Sequence, residues 1–262
     1  MSGHNTAPGA PGQLQGKRIL VTGGSSGIGR AIAEACAGQG ADVALTYRAN
    51  EAGASAVAAR IRDSGRRALI LKADVGDEAD LDRVAESVMA GLGGVDAWIN
   101  NAGADILTGE GTSLSRRAKL DRLIAVDLRG TMLASWRAAE LMARQPEGGV
   151  IVNMSWDGVR QGYHGENPQL FAAVKGGIES FSRTLARSLA PRIRVNVLAP
   201  GWIETAFGEQ APEGWRAEIA ARIPLARWGT PEDVAGAAVY LASDAAKFLT
   251  GQTLMVNGGD VM

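Results

Sequence analysis

Apolar and polar positions along the chain fall into two alternating rhythms. Short, β-branched or aliphatic runs read as strands: RILVT (Arg18–Thr22), DVALTY (Asp42–Tyr47), ALILK (Ala68–Lys72), AWIN (Ala97–Asn100), GVIVNM (Gly149–Met154), RVNVLA (Arg194–Ala199) and TLMVN (Thr253–Asn257). Between them lie Ala-rich stretches of helical length, at Ile28–Gln39, Glu51–Ser64, Glu78–Leu92, Leu114–Arg144, Gln169–Leu189 and after Pro231. Strand and helix in turn mean parallel strands joined by helical crossovers. Strands apolar on both faces need helices on both sides of the sheet. The pattern predicts an α/β fold with a doubly wound parallel sheet in a single domain over residues 17–262. Leu123, Val126, Leu133 and Trp136 recur at helical spacing and predict a buried face. GTPEDVA (Gly229–Ala235) predicts a helix start with Thr230 as N-cap and Pro231 as first helical residue. Only the segment 202–227, with Gly208, Pro212, Gly214 and Pro224, breaks the rhythm, and it is expected to form a small cap over a site.

The turn from the first strand to the first helix, VTGGSSGIGRAIA (Val21–Ala33), carries Gly23, Gly27 and Gly29 with Ser25, Ser26 and Ile28 between them. A tight turn, a backbone touching a pyrophosphate and a helix packed closely on its sheet all need residues without a Cβ. The helix start adds free N–H groups and a positive dipole end. In this context the motif predicts a Rossmann-type dinucleotide site. An NAD site places an acid at the end of the second strand to hold the ribose 2′-hydroxyl. Here the chain reads Tyr47, Arg48, Ala49, Asn50. With no acid to repel a 2′-phosphate and Arg48 able to pair with one, NADP(H) is expected over NAD(H).

Composition narrows the classes further. The chain has 262 residues, 46% of them hydrophobic, enough for a large core, and a formal net charge of −1, which gives no electrostatic footprint for nucleic acid. No apolar run reaches membrane-span length, so no membrane partner is expected. The lone Cys36 forms no internal disulfide and is expected to be buried in a helix. His4 and His164 do not combine with it into a metal cluster, and no metal is expected. MSGHNTAPGAPGQLQG (residues 1–16) reads as a disordered lead without the pattern of a secretory signal, and a reducing, cytoplasmic setting is the expectation.

From about Lys17 onward the chain resembles the short-chain dehydrogenase/reductase family, most closely its ketoacyl-carrier-protein reductase type. The resemblance rests on TGGSSGIG, on ADV (Ala73–Val75), on NNAG (Asn100–Gly103), on Ser155 in NMSWDG, on Lys175 in FAAVKGG, on APGWIET and on TGQTLMVNGG. It implies that Asp74 and Val75 contact the adenine and that Asn101, Ala102 and Gly103 line the cofactor. It also implies that Pro200, Gly201, Ile203 and Thr205 lie near the nicotinamide, and that Lys175 holds the nicotinamide ribose. Ser155 is the residue that would orient a substrate oxygen, and a homodimer or homotetramer is implied as well.

Two positions depart from that family. Its catalytic tyrosine, four residues before the lysine, is Phe171 here, and its helix asparagine is Asp127. A phenyl ring donates no proton, and general acid help of this kind is worth roughly 10²–10⁴-fold in rate. Asp127 can still accept hydrogen bonds and pair with Lys175. Three readings follow. Tyr163 or His164, in the longer than usual stretch from Ser155 to Phe171, replaces the acid. Alternatively the substrate needs no donor there, as with an iminium ion or an activated alkene, and Phe171, Trp156 and Trp202 wall an apolar pocket. Or the chain binds its cofactor without chemistry, as a regulator or an oligomer partner. An engineered Tyr→Phe change is a fourth account of position 171. Every reading but the third keeps a small-molecule substrate.

Overall fold

The structure, a computed structural model, describes residues 12–262. Seven parallel strands form one sheet in the order β3-β2-β1-β4-β5-β6-β7. They are β1 (Arg18–Val21), β2 (Asp42–Tyr47), β3 (Ala68–Lys72), β4 (Ala97–Asn100), β5 (Gly149–Met154), β6 (Ile193–Pro200) and β7 (Thr253–Val256). The order reverses between β1 and β4. In such sheets this switch point opens a crevice at the carboxyl ends of the strands, where ligands bind.

Successive side chains of a strand point to opposite faces. Ile19 and Val21 therefore join one core with Ile32, Val57 and Val234, under helices α1 (Gly27–Gly38), α2 (Glu51–Asp63) and α9 (Pro231–Ala242). Leu20 and Trp98 join the other with Leu81, Val88 and Ala138. That face is covered by α3 (Glu78–Leu92), α5 (Gly130–Ala143) and α6 (Glu166–Leu189). The capping box of α9 forms as expected, with Thr230 Oγ1 accepting from the Asp233 N–H and Asp233 accepting in return.

Two expectations hold with refined bounds, and two need correction. The region from Leu114 is a continuous helical run in three parts: α4 (Arg116–Leu123), a π turn over Ile124–Arg129, then α5. Trp136 is not on a buried face; it is 46% exposed and rests edge-on against Phe181. Helix α6 begins three residues before Gln169. The lead is not disordered as far as Gly16: Leu14 is wholly buried, and its N–H donates to Gln39 O at 3.0 Å. A leucine set among Gly, Pro and Gln has too little apolar company to stand out in a local reading, yet it finds the α1–β2 corner. Residues 1–11, with His4, lie outside the described residues. The segment 202–227 folds as α7 (Ala206–Gln210) and α8 (Glu213–Arg222), with a small core of its own around Ile219, Ile223 and Trp228.

Candidate active site

The strand ends are fixed by a buried polar network. Trp98 Nε1 donates to Asn100 Oδ1 (2.9 Å), Asn100 Nδ2 to Asn153 Oδ1 (2.8 Å), and Asn153 Nδ2 to Ser182 Oγ (2.9 Å). Fully satisfied networks of this kind hold one arrangement, because leaving any member unpaired in a low dielectric is costly. They tie β4 and β5 to α6, which carries Phe171 and Lys175.

Gly23, Ser25, Ser26, Gly27, Ile28 and Gly29 form the β1–α1 loop and the first turn of α1. A Cβ on Gly29 would collide with Gly23 O and Asn101 Nδ2, so the loop is held tightly against the chain after β4. Asn101 braces it: its Nδ2 donates to Thr22 O (3.0 Å) and Gly23 O (3.2 Å), while the N–H groups of Asn101 and Ala102 both donate to Thr22 Oγ1 (3.0 Å). The N-cap Ser26 makes no side-chain bond to the first turn, whereas α2, α3 and α9 are capped by Asn50, Asp77 and Thr230. Uncapped N–H groups behind a glycine cradle fit a pyrophosphate. Tyr47 ends β2 and the exposed Arg48 follows it, and Asp74 and Val75 follow β3, on the side where an adenosine half would lie. Arg48 has no acidic partner among the described residues. Gly103 stands over the Asp127 carboxylate, and Pro200, Gly201, Ile203 and Thr205 close the far side after β6.

Lys175 and Asp127 form a buried ion pair, Nζ to Oδ2, at 2.8 Å. The π turn carries Asp127 inward to this place; such one-turn distortions are frequent at functional sites. Its other oxygen accepts the Ala104 N–H at 2.7 Å. Asp127 thus replaces a neutral amide with a counter-ion for the lysine. Ser155, 6% exposed, donates its hydroxyl to Glu179 Oε1 (3.1 Å) and lies 3.3 Å from Lys175 O. A serine has one proton to donate. The hydroxyl rotates, so Glu179 and Lys175 O are the acceptors that compete with a substrate oxygen for that proton.

Beside Lys175 opens a cavity of about 620 Å³, roofed by α7 and α8. Trp156, Tyr163, Phe171, Trp202, Phe207, Trp215 and Trp228 line it. Trp156 lies 5.3 Å from Tyr163 and 6.2 Å from Phe171 between ring centroids, and Trp202 lies 5.3 Å from Trp215 and 5.4 Å from Trp228. Phe171 also packs on Ile106, Leu123 and Leu170. Tyr163, a candidate for the replacement acid, is turned to another partner. Its hydroxyl donates to Asp260 Oδ2 at 2.6 Å, and burial together with that bond pushes its pKa above the ordinary tyrosine value. His164 is exposed where it lines the cavity.

The sequence reading missed Thr22, Glu179, Phe207, Trp215, Trp228, Asp157 and Asp260. The tryptophans carried one usable signal: four of the six in the chain line this cavity. Nothing local marked the acids. Asp157 is 2% exposed, neither of its oxygens has a hydrogen-bond partner, and burial, with Asp260 nearby, raises its pKa to about 6. The neighbouring Asn257 amide donates instead to Val261 O (2.8 Å). Among the described residues no group of His, Cys, Asp and Glu could hold a metal ion, and no helix is long and apolar enough to cross a membrane.

This fold, loop and lysine agree with what comparison with known proteins shows. Residues 23–260 match the family model described as enoyl-(acyl carrier protein) reductase. The chain is 37% identical over 253 residues to 3beta-hydroxysteroid dehydrogenase 1 of Eggerthella lenta, covering 94% of each. It is 37% identical over 251 residues to the 3-oxoacyl-(acyl-carrier-protein) reductase FabG of Escherichia coli, covering 95% of this chain and 99% of that one. A short chain dehydrogenase from Burkholderia cenocepacia, solved in complex with NADP, superposes with a TM-score of 0.83 at 35% identity, over 95% of this chain and 99% of that one. The chain belongs to the short-chain dehydrogenase/reductase family, and relatives named dehydrogenase and reductase support an oxidoreductase.

Proposed function

We propose that this protein is an atypical NADP(H)-dependent reductase that transfers hydride to a carbonyl, imine or activated alkene of a small, largely apolar molecule. One observation carries this reading: residues on the cofactor side (Ile28, Asn101, Lys175, Gly201, Thr205) and the aromatic residues Trp156, Phe171 and Trp202 line one and the same cavity. A bound reduced nicotinamide supplies the hydride. The chain's own part is to hold the pyrophosphate on the α1 N-terminus, the 2′-phosphate by Arg48 and the ribose by Lys175, and to exclude water with the aromatic wall. Titration with NADPH and NADH, followed by tryptophan fluorescence and calorimetry, tests it. NADPH is expected to bind more tightly; failure of both forms to bind folded protein would sink the reading.

A catalytically silent cofactor-binding homologue is the second reading, favoured by Phe171 and by the commitment of Ser155 to Glu179. Hydride transfer to any member of a carbonyl, iminium and enone panel excludes it. We also propose a homodimer or homotetramer in a reducing, cytoplasmic setting, with Ile124 (43% exposed) and Trp136 on its contact face. A monomer by sedimentation at micromolar concentration would refute that.

A further inference from the structure

Reduction of a ketone creates an alkoxide, and the site lacks the hydroxyl that would protonate it at position 171, which carries a phenyl ring. Ser155 is left with Glu179 and Lys175 O competing for its one proton. The pocket supplies something else: π faces and carboxylates. Ring quadrupoles present negative faces that attract cations, most strongly when desolvated. The cluster already holds one, for the Arg216 guanidinium sits 5.6 Å from the Trp228 ring centroid. Just behind Gly201, which lines the cavity, lies the unpartnered carboxylate of Asp157; a Cβ on Gly201 would come within 2.8 Å of its Oδ2. Asp260 stands behind two of the lining rings, accepting from Tyr163 Oη (2.6 Å) and Trp202 Nε1 (3.2 Å). Of the Lys and Arg side chains that line the cavity, Lys175 is paired with Asp127 and Arg222 is exposed.

We infer that the substrate is a cation, an iminium ion, held by the Trp156–Trp202 aromatic box over the Asp157 and Asp260 carboxylates. This rests on the reductase reading above. The chemistry balances without an acid. The iminium carbon gains the hydride, the C=N π pair becomes the nitrogen lone pair, the positive charge is lost, and a neutral amine results with no proton consumed. Phe171 is then the fitting residue at its position, since a hydroxyl there would be an unpaired polar group against an apolar face.

The test compares two unreactive-to-binding probes of matched shape, the N,N-dimethyl-1,2,3,4-tetrahydroisoquinolinium cation and neutral 2-tetralone, by quenching of tryptophan fluorescence in the protein saturated with NADP. The cation is expected to bind at least roughly tenfold more tightly, a difference of about 1.4 kcal/mol. The double variant Asp157→Asn, Asp260→Asn is expected to abolish that preference while tetralone and NADPH binding persist. With NADPH, N-methyl-3,4-dihydroisoquinolinium should be reduced and 2-tetralone should not. Equal binding of the two probes, or reduction of the ketone alone, overturns the inference while leaving the reductase reading intact. Failure of NADPH itself to bind defeats that reading instead. If the double variant does not fold, Trp202→Leu replaces it, with the same loss of cation preference expected.

Discussion

The two halves of the site are built in opposite ways. The cofactor half is made from backbone: glycines without side chains, an uncapped helix start, and Asn101 and Thr22 bonding main-chain groups across β1 and β4. The substrate half is made from side chains drawn from four separate stretches: Trp156 to Phe171, Trp202 to Phe207, Trp215 to Trp228, and Asp260. A backbone site is specified by one continuous motif and tolerates almost no added atom. A side-chain site can be rewritten one residue at a time, and in this chain positions 127 and 171 show that rewriting, while the glycine cradle keeps its shape.

The sharpest way to break this contrast is Gly29→Ala. The added methyl meets Gly23 O and Asn101 Nδ2, both held by the network after β4, so the loop must move. NADPH affinity is expected to fall by roughly 100-fold, about 2.7 kcal/mol, in a fluorescence titration. A variant that binds as well as the parent would show that the cradle is slack. Next in size is Phe171→Tyr, which restores a hydroxyl one helical turn from Lys175. Ketone reduction should rise by roughly 10²-fold, the low end for general acid help, because Ser155 remains on Glu179. Steady-state assays with 2-tetralone check this, and no gain would mean that Asp127 has altered the lysine's role. Smaller still is Arg48→Ala: the loss of one charge-assisted contact to a 2′-phosphate should cut the preference for NADPH over NADH roughly tenfold. An unchanged ratio would leave Arg48 a surface charge.

These regions also differ in how far they could be read before the structure. All seven strands and the glycine loop were legible, because each is a local run with its own period. The pairing of Lys175 with Asp127 was expected from the positions the resemblance gave them, and the ion pair forms. Asp157 and Asp260 were not. They are far apart in the chain, and Asp260 reaches Tyr163 only because Gly258 and Gly259 adopt positive φ values of 65° and 90° and turn the chain back after β7. The Ser155 surroundings were not legible either: Glu179 read only as one more residue of a long helix, and its acid is 4% exposed against Ser155.

The smallest predicted effect gives the clearest sign. Burial of Asp157, with Asp260 nearby, outweighs the opposing pull of the Asn257 amide and raises its pKa to about 6, above the unfolded value of about 3.9. The folded protein therefore holds that proton more tightly than the unfolded chain does. Between about pH 4 and pH 6 stability falls as pH rises, and above that window the whole penalty is present. Asp157→Asn removes the charge and with it the penalty. The variant should melt higher than the parent by a few degrees at pH 7.5, at about 2–4 °C per kcal/mol for a chain of this size, and by much less at pH 4.5. Taking the difference between variant and parent cancels the other acids, such as Asp233, which Arg227 holds down to about 2. A gap in melting temperature that does not grow between the two pH values would mean Asp157 is not held as a strained, charged group. A gap that grows, together with loss of cation binding in the same variant, would show stability given up to keep a carboxylate beneath the aromatic box. The cofactor half has no counterpart to that compromise, since its fit comes from atoms left out and not from charges left unpaired.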